Sequence, residues 1–168
     1  ALAHTVNAPA VPGTYETWVE LPTTATIAPG SVFRVVHSQA TLELLNNADF
    51  TYSSLSNGDD GFGLVYGTPT DFDLLDIIGD WNADPGSGWP VAGIDNATAN
   101  HTLIRKPSVL DGNDGDWIAS AGTNETDSEW VVLESDDWSD FGLHSADGTC
   151  STDVEVIEDV VGCMYAAA

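Results

Sequence analysis

Ile77-Ile78-Gly79-Asp80-Trp81-Asn82-Ala83-Asp84-Pro85-Gly86-Ser87-Gly88-Trp89 passes from a β-branched apolar pair into a loop of Gly, Asp and Pro. Leu74 to Ile78 reads as a strand, and the loop runs on to Gly93. Trp81 and Trp89 bracket it, placed where an indole covers the end of a β-sandwich while its N–H finds a carbonyl. A Trp platform stacking on sugar rings is the functional alternative. Upstream, Thr14 to Leu21 is a predicted strand, and Pro29-Gly30 launches Val32 to Val36, a β-branched run expected to be buried on both faces. Ser38 offers an N-cap for a short helix over Ala40 to Leu45, ended by Asn46-Asn47. Asn57-Gly58 has the chemistry of a hairpin turn ahead of Phe62 to Tyr66. Downstream, Leu103 to Arg105 is a strand, and Trp117-Ile118 and Trp130 to Leu133 carry β character. No internal repeat or interdomain linker interrupts this pattern of short strands and turns.

Four motifs occur in order: Leu55-Ser56-Asn57-Gly58-Asp59-Asp60-Gly61 leading into Phe62-Gly63-Leu64-Val65; the stretch from Ile77 to Trp89; His101-Thr102-Leu103-Ile104-Arg105-Lys106; and Ser128-Glu129-Trp130. Together they resemble the extracellular bacterial type of lamin-tail domain, over roughly residues 6 to 144. The resemblance implies an all-β, immunoglobulin-like β-sandwich with one short helix and long loops, used for attachment and assembly and not for catalysis. Residues 1–148 form the lamin-tail-like sandwich in this reading, and 149–168 a C-terminal extension with an extra strand.

Composition narrows the partners. The 168 residues are 42% hydrophobic and 9% aromatic, enough for one domain with a core and unlike a disordered acidic tail. Three basic residues face 27 acidic ones, a net charge of −24. That argues against nucleic acid or an anionic membrane as partner, because both need Lys and Arg to neutralise phosphate. An acidic surface keeps a secreted protein soluble; alternatively, it gathers divalent cations. No stretch has the length and apolarity of a transmembrane helix. A start at Ala1 fits a chain matured by loss of a signal peptide, and equally a trimmed one. Cys150 and Cys163 suit a disulfide, and with it a secreted, extracellular or cell-surface location, with two buried thiols as the alternative.

Asp59, Asp60, Asp111, Asn113, Asp114 and Asp116 are the oxygen-ligand candidates for calcium, against the plainer reading of Asp-Gly turns. The spacing over 111–116 does not match a calcium-loop motif. No other cofactor is expected. His4, His37, His101 and His144 are scattered, and no hydrolase, metalloprotease, phosphate or dinucleotide motif occurs, so no catalytic residue is assigned. Asn96, Asn100 and Asn124 head N-glycosylation sequons, which makes attached glycans an expectation in a eukaryotic source.

Domains of the lamin-tail type open with one or two Ile- and Glu-rich strands, and none is read before Val6. A missing strand leaves an apolar groove and unpaired backbone groups. The alternating C-terminal segment of Asp153, Val154, Glu155, Val156, Ile157, Val160 and Val161 is the expected filler, in its own domain or in a neighbour's. Head-to-tail insertion gives a homopolymeric extracellular fibre. The alternative is a monomeric adhesion or carbohydrate-binding module of a larger secreted protein.

Overall fold

A computed structural model describes residues 1–7 and 9–144. The strand and assembly role expected of Asp153 to Val161, the disulfide expected of Cys150 and Cys163, and the boundary at 148/149 lie outside the described residues.

In chain order the elements are β1 (Leu2–His4), β2 (Thr17–Val19), β3 (Val35–His37), α1 (Leu42–Leu45), β4 (Phe50–Tyr52), β5 (Phe62–Thr68), β6 (Asp71–Ile78), α2 (Ala97–Asn100), β7 (Thr102–Arg105), α3 (Trp117–Ala121) and β8 (Trp130–Leu133). The chain is thus mostly strands in sheets, with a few short helices. One sheet has the order β2-β1-β5-β6 with every neighbour antiparallel; β3 pairs β4 in parallel and β7 pairs β8 antiparallel.

A strand does precede Val6, where none is read from the sequence: β1 lies between β2 and β5, with Leu2, Ala3 and His4 all buried. Ala3 faces Trp18 and Gly63 in register, and Gly63 faces Ile77. At Ala3 and Gly63 the side chain is small or absent for a reason. A Cβ at position 63 would lie 2.7 Å from the Trp81 ring and from Leu74, so glycine lets the indole lie against the sheet. Trp81 then joins Ala3, Val65, Ile77, Ile78, Trp89, Val91, Leu103, Trp117 and Trp130 in one core reaching from β1 to β8.

The β5–β6 hairpin closes at Pro69-Thr70 and carries a bulge where Leu64 faces Asp76 but Val65 faces Leu74. The extra residue, Leu75, is left out of the ladder, as a bulge requires. Its carbonyl accepts from Asp114 N at 3.2 Å, and Gly112 packs so closely on it that any side chain there would collide.

Other expectations are corrected. Asn57-Gly58 closes no hairpin, because β4 pairs with β3 and the 53–61 segment crosses between sheets. Gly58 has φ +113, and a side chain on it would strike the Ala99 backbone. Val32 to Val36 is not buried on both faces; the strand is Val35–His37 and only Val36 is buried, because the run lies in a two-stranded sheet beside a surface Arg34–Asp49 pair. Among the described residues three short helices stand where one was expected. The helix at 42–45 follows Thr41 and not Ser38, and α3 forms where Trp117-Ile118 suggested a strand. Asp116 caps α3 by accepting from Ala119 N, and Gly122 ends it at φ +65.

Candidate functional site

The most organised polar cluster surrounds Arg105. Alternation along β7 turns Arg105 inward, where its side chain is 3% exposed, and Lys106 outward. Arg105 Nη1 donates to Asp76 Oδ2 at 2.6 Å, and Nη2 donates to Glu129 Oε2 at 2.6 Å and to Ser120 Oγ at 3.2 Å. The Ser120 hydroxyl donates to Glu129 at 2.6 Å and accepts from Trp130 Nε1 at 3.0 Å. The guanidinium lies 4.6 Å from the Trp130 ring centroid, a cation–π distance. Burial works against the Arg105 charge, but hydrogen bonds and charge from Asp76 and Glu129 outweigh it and hold the pKa above its ordinary value. Lys106 Nζ donates to the carbonyls of Glu125 and Ser128 at 2.6 and 2.5 Å. One cluster therefore ties β6, β7, α3 and β8 together. Nη1 and Nη2 are turned to protein groups, while the buried Nε has no hydrogen-bond partner among the described residues, and the arrangement serves as a bolt that solvent reaches at Glu129, 33% exposed. Sequence reading missed it, although two of three basic residues standing side by side on one strand was a usable signal.

The acidic candidates separate into different roles. Asn113 is a clip on the edge of β6: its Oδ1 accepts from Ile77 N at 3.0 Å and its Nδ2 donates to Ile77 O at 2.8 Å. Asp116 caps α3. Asp114, at φ +50, lines an open cleft of about 350 Å³ with Asp80, Asn82, Gly115, Asp116, Trp117 and Ile118. Asp111 is exposed nearby in sequence but does not line that cleft. Asp60 stands just before β5, beside Gly79 at the end of β6, with its Oδ1 accepting from Asn7 N at 2.8 Å. Asp59 is 6% exposed, and its buried Oδ1 has no hydrogen-bond partner. The six residues do not converge, and among the described residues no group of three or more His, Cys, Asp or Glu is disposed to hold a metal ion.

The indoles of the long loop are structural. Trp81 Nε1 donates to Gly61 O at 3.1 Å and Trp89 Nε1 to Asp60 O at 3.3 Å. A second aromatic group is more open. Tyr15, Trp18 and Phe72 are half-buried, with ring centroids 5.5 to 5.7 Å apart in tilted or edge-on contacts. Trp18 Nε1 donates to Glu20 at 2.6 Å, and exposed Asp71 and Asp73 flank Phe72 in sequence.

The histidines stay apart. His4 stacks on Phe62 at 4.5 Å with its Nε2 2.8 Å from Tyr52 Oη, and burial lowers its pKa. His37 contacts the Ser53 carbonyl, His101 the Leu133 carbonyl, and burial, followed by the charge of Arg105, lowers the pKa of His144.

The sequons differ in availability. Thr98, the hydroxyl residue of the Asn96 sequon, is buried, donating to Gly58 O and accepting from Trp89 N. Asn124 is exposed but its amide is tied to Thr123 and Asp127 within its own turn. Asn100 is exposed at the end of α2.

Comparison with protein-family models, with curated proteins and with solved structures returns no match.

Proposed function

We propose that the chain is a non-enzymatic, immunoglobulin-like β-sandwich of the lamin-tail kind, working as a monomeric adhesion or carbohydrate-binding module of a larger secreted protein. The observation that carries this reading over a strand-exchanged fibre is the position of β1. The fibre reading needs a groove left by an absent strand, and Leu2–His4 already fills the place between β2 and β5. With that place taken, an incoming strand has no apolar groove to enter in this sheet, and its remaining opening is an outer edge such as that of the three-residue β2.

The contact surface in this reading is the half-buried face of Tyr15, Trp18 and Phe72. Flat rings beside carboxylates suit neutral, hydroxyl-rich ligands, since CH groups pack on the rings while hydroxyls donate to carboxylate oxygens. Glu20, whose Oε1 accepts from Trp18 Nε1 at 2.6 Å, supplies such oxygens at the rim of the rings.

Two measurements test the proposal. Sedimentation and negative-stain microscopy, with and without residues 149–168, should show dispersed monomers in both samples. Filaments that vanish on truncation would restore the fibre, with Asp153 to Val161 as its assembly strand. Titration with neutral polysaccharides should change tryptophan emission in the native chain and not in Trp18→Ala. A response that survives that substitution places the ligand elsewhere.

A further inference from the structure

The three basic side chains are all engaged inside the chain. Arg34 pairs with Asp49 at 2.9 Å, Arg105 is buried between Asp76 and Glu129, and Lys106 is turned onto two backbone carbonyls. Against them stand 27 acidic residues. The carboxylates of exposed Asp71, Asp73, Asp95, Asp111 and Asp136 accept no hydrogen bond and meet no cation among the described residues. Such an excess of one sign pushes the compact state apart, because unfolding lets like charges separate.

The sign of the salt effect follows from what salt can reach. Repulsion between exposed carboxylates acts through solvent and is screened, with a Debye length falling from about 10 Å at 0.1 M to about 3 Å at 1 M. The attractions exposed to the same screening are few. Arg34–Asp49 is one, with both side chains about a third exposed (32% and 31%). The Arg105–Asp76 pair, at 3% and 1%, is largely out of reach of ions. Salt therefore removes much repulsion and little attraction.

We propose that hydrated inorganic cations complete the surface of this fold, and that the chain is built to work in concentrated salt. The cations occupy no fixed sites; they gather against a carboxylate surface that carries almost no counter-charge of its own. A basic protein partner would answer the same charge excess, and the test separates the two, because dependence on salt alone requires no partner.

The experiment is thermal unfolding of the full chain by circular dichroism, from roughly 0.05 M to 2 M NaCl and again in KCl. The midpoint should rise by on the order of 10 °C in both salts without saturating at low concentration. A variant with Asp71, Asp73, Asp95, Asp111 and Asp136 each changed to Asn should melt higher in dilute buffer and respond less to salt. The native chain supplies a second reading should that variant not fold: guanidinium chloride, itself a salt, should lose its usual advantage of about twofold over urea. A midpoint indifferent to salt, or equal slopes in variant and native chain, would overturn the proposal. So would saturation by micromolar calcium, which would indicate a discrete ion site in place of screening.

Discussion

Replacing Arg105 with Met tests how much of the fold rests on the bolt beneath β7. The substitution keeps most of the side chain's length and its packing on Trp130, and deletes the charge. Asp76 would then be left 1% exposed with no cation, while its Oδ1 still accepts from Ile77 N and Asn113 N at 3.1 Å. Glu129 is less stranded, because its side chain is 33% exposed and water can reach it. Breaking a buried pair from one side costs about 3–5 kcal/mol, against a total stability of about 5–15 kcal/mol for a domain. The Asp76 side should dominate that figure. Asp76→Asn, which keeps an acceptor for the two backbone N–H groups, should cost less, and the double variant should fall short of the summed losses by about 1–3 kcal/mol. Urea unfolding followed by tryptophan emission reads all four proteins, since Trp117 and Trp130 are both buried beside the cluster. A loss below about 1 kcal/mol for Arg105→Met, or strict additivity in the cycle, would refute the claim that the pair holds these elements together.

Other outcomes follow from single observations. Because burial lowers the His4 pKa, the unfolded chain takes up the proton first; stability should be whole above about pH 6.5 and fall as pH drops through that value. Urea midpoints should show this slope reduced in His4→Phe, which keeps the stack on Phe62; an unchanged slope would remove His4 from the account. Asn113→Ala should cost about 1–2 kcal/mol by removing the amide donor of the Ile77 carbonyl, while Ile77 N keeps Asp76 Oδ1, and equally with and without calcium, whereas a calcium-dependent loss would mark Asn113 as a ligand. Gly112→Ala should cost about 1–3 kcal/mol through collision with the Leu75 carbonyl, read from the melting midpoint; a neutral result would mean the bulge yields. Asp59→Asn should raise stability by about 1 kcal/mol or more by removing a buried charge without a cation, and a loss would show that the carboxylate holds something.

Strands long enough to show their pattern were legible in the sequence. Phe62 to Tyr66, Leu74 to Ile78, Leu103 to Arg105 and Trp130 to Leu133 all lie in strands. Leu2-Ala3-His4 was not legible, because three residues cannot display a period, and neither Ala nor His favours a strand by itself. Its stability comes from neighbours on both sides and from His4 stacking on Phe62, which are tertiary facts. Trp117 to Ala121 misled in another way. Trp-Ile reads as β, yet the cap signal was present in Asp116 and the stop in Gly122, hidden in a stretch where every second or third residue is Asp, Asn or Gly.

That crowding of carboxylates is the reason the candidate site was hard to read. Where acidic residues are so frequent, their adjacency in sequence carries little information about ligands, and burial becomes the discriminating property. Asp76, in the middle of the apolar run Leu74 to Ile78, was not singled out in the sequence and is the anchor of Arg105. Asp111 and Asp114, which looked like ligands, are exposed turn residues. The two populations obey different physics. Buried Asp76 has a specific partner that salt scarcely touches, so its role is tested by substitution. Most exposed carboxylates have only solvent and its ions as partners, so their role is tested by changing the medium. A salt titration of Arg105→Met joins the two: its loss of stability should persist across salt concentrations while the whole curve rises, since screening reaches the surface and not the bolt.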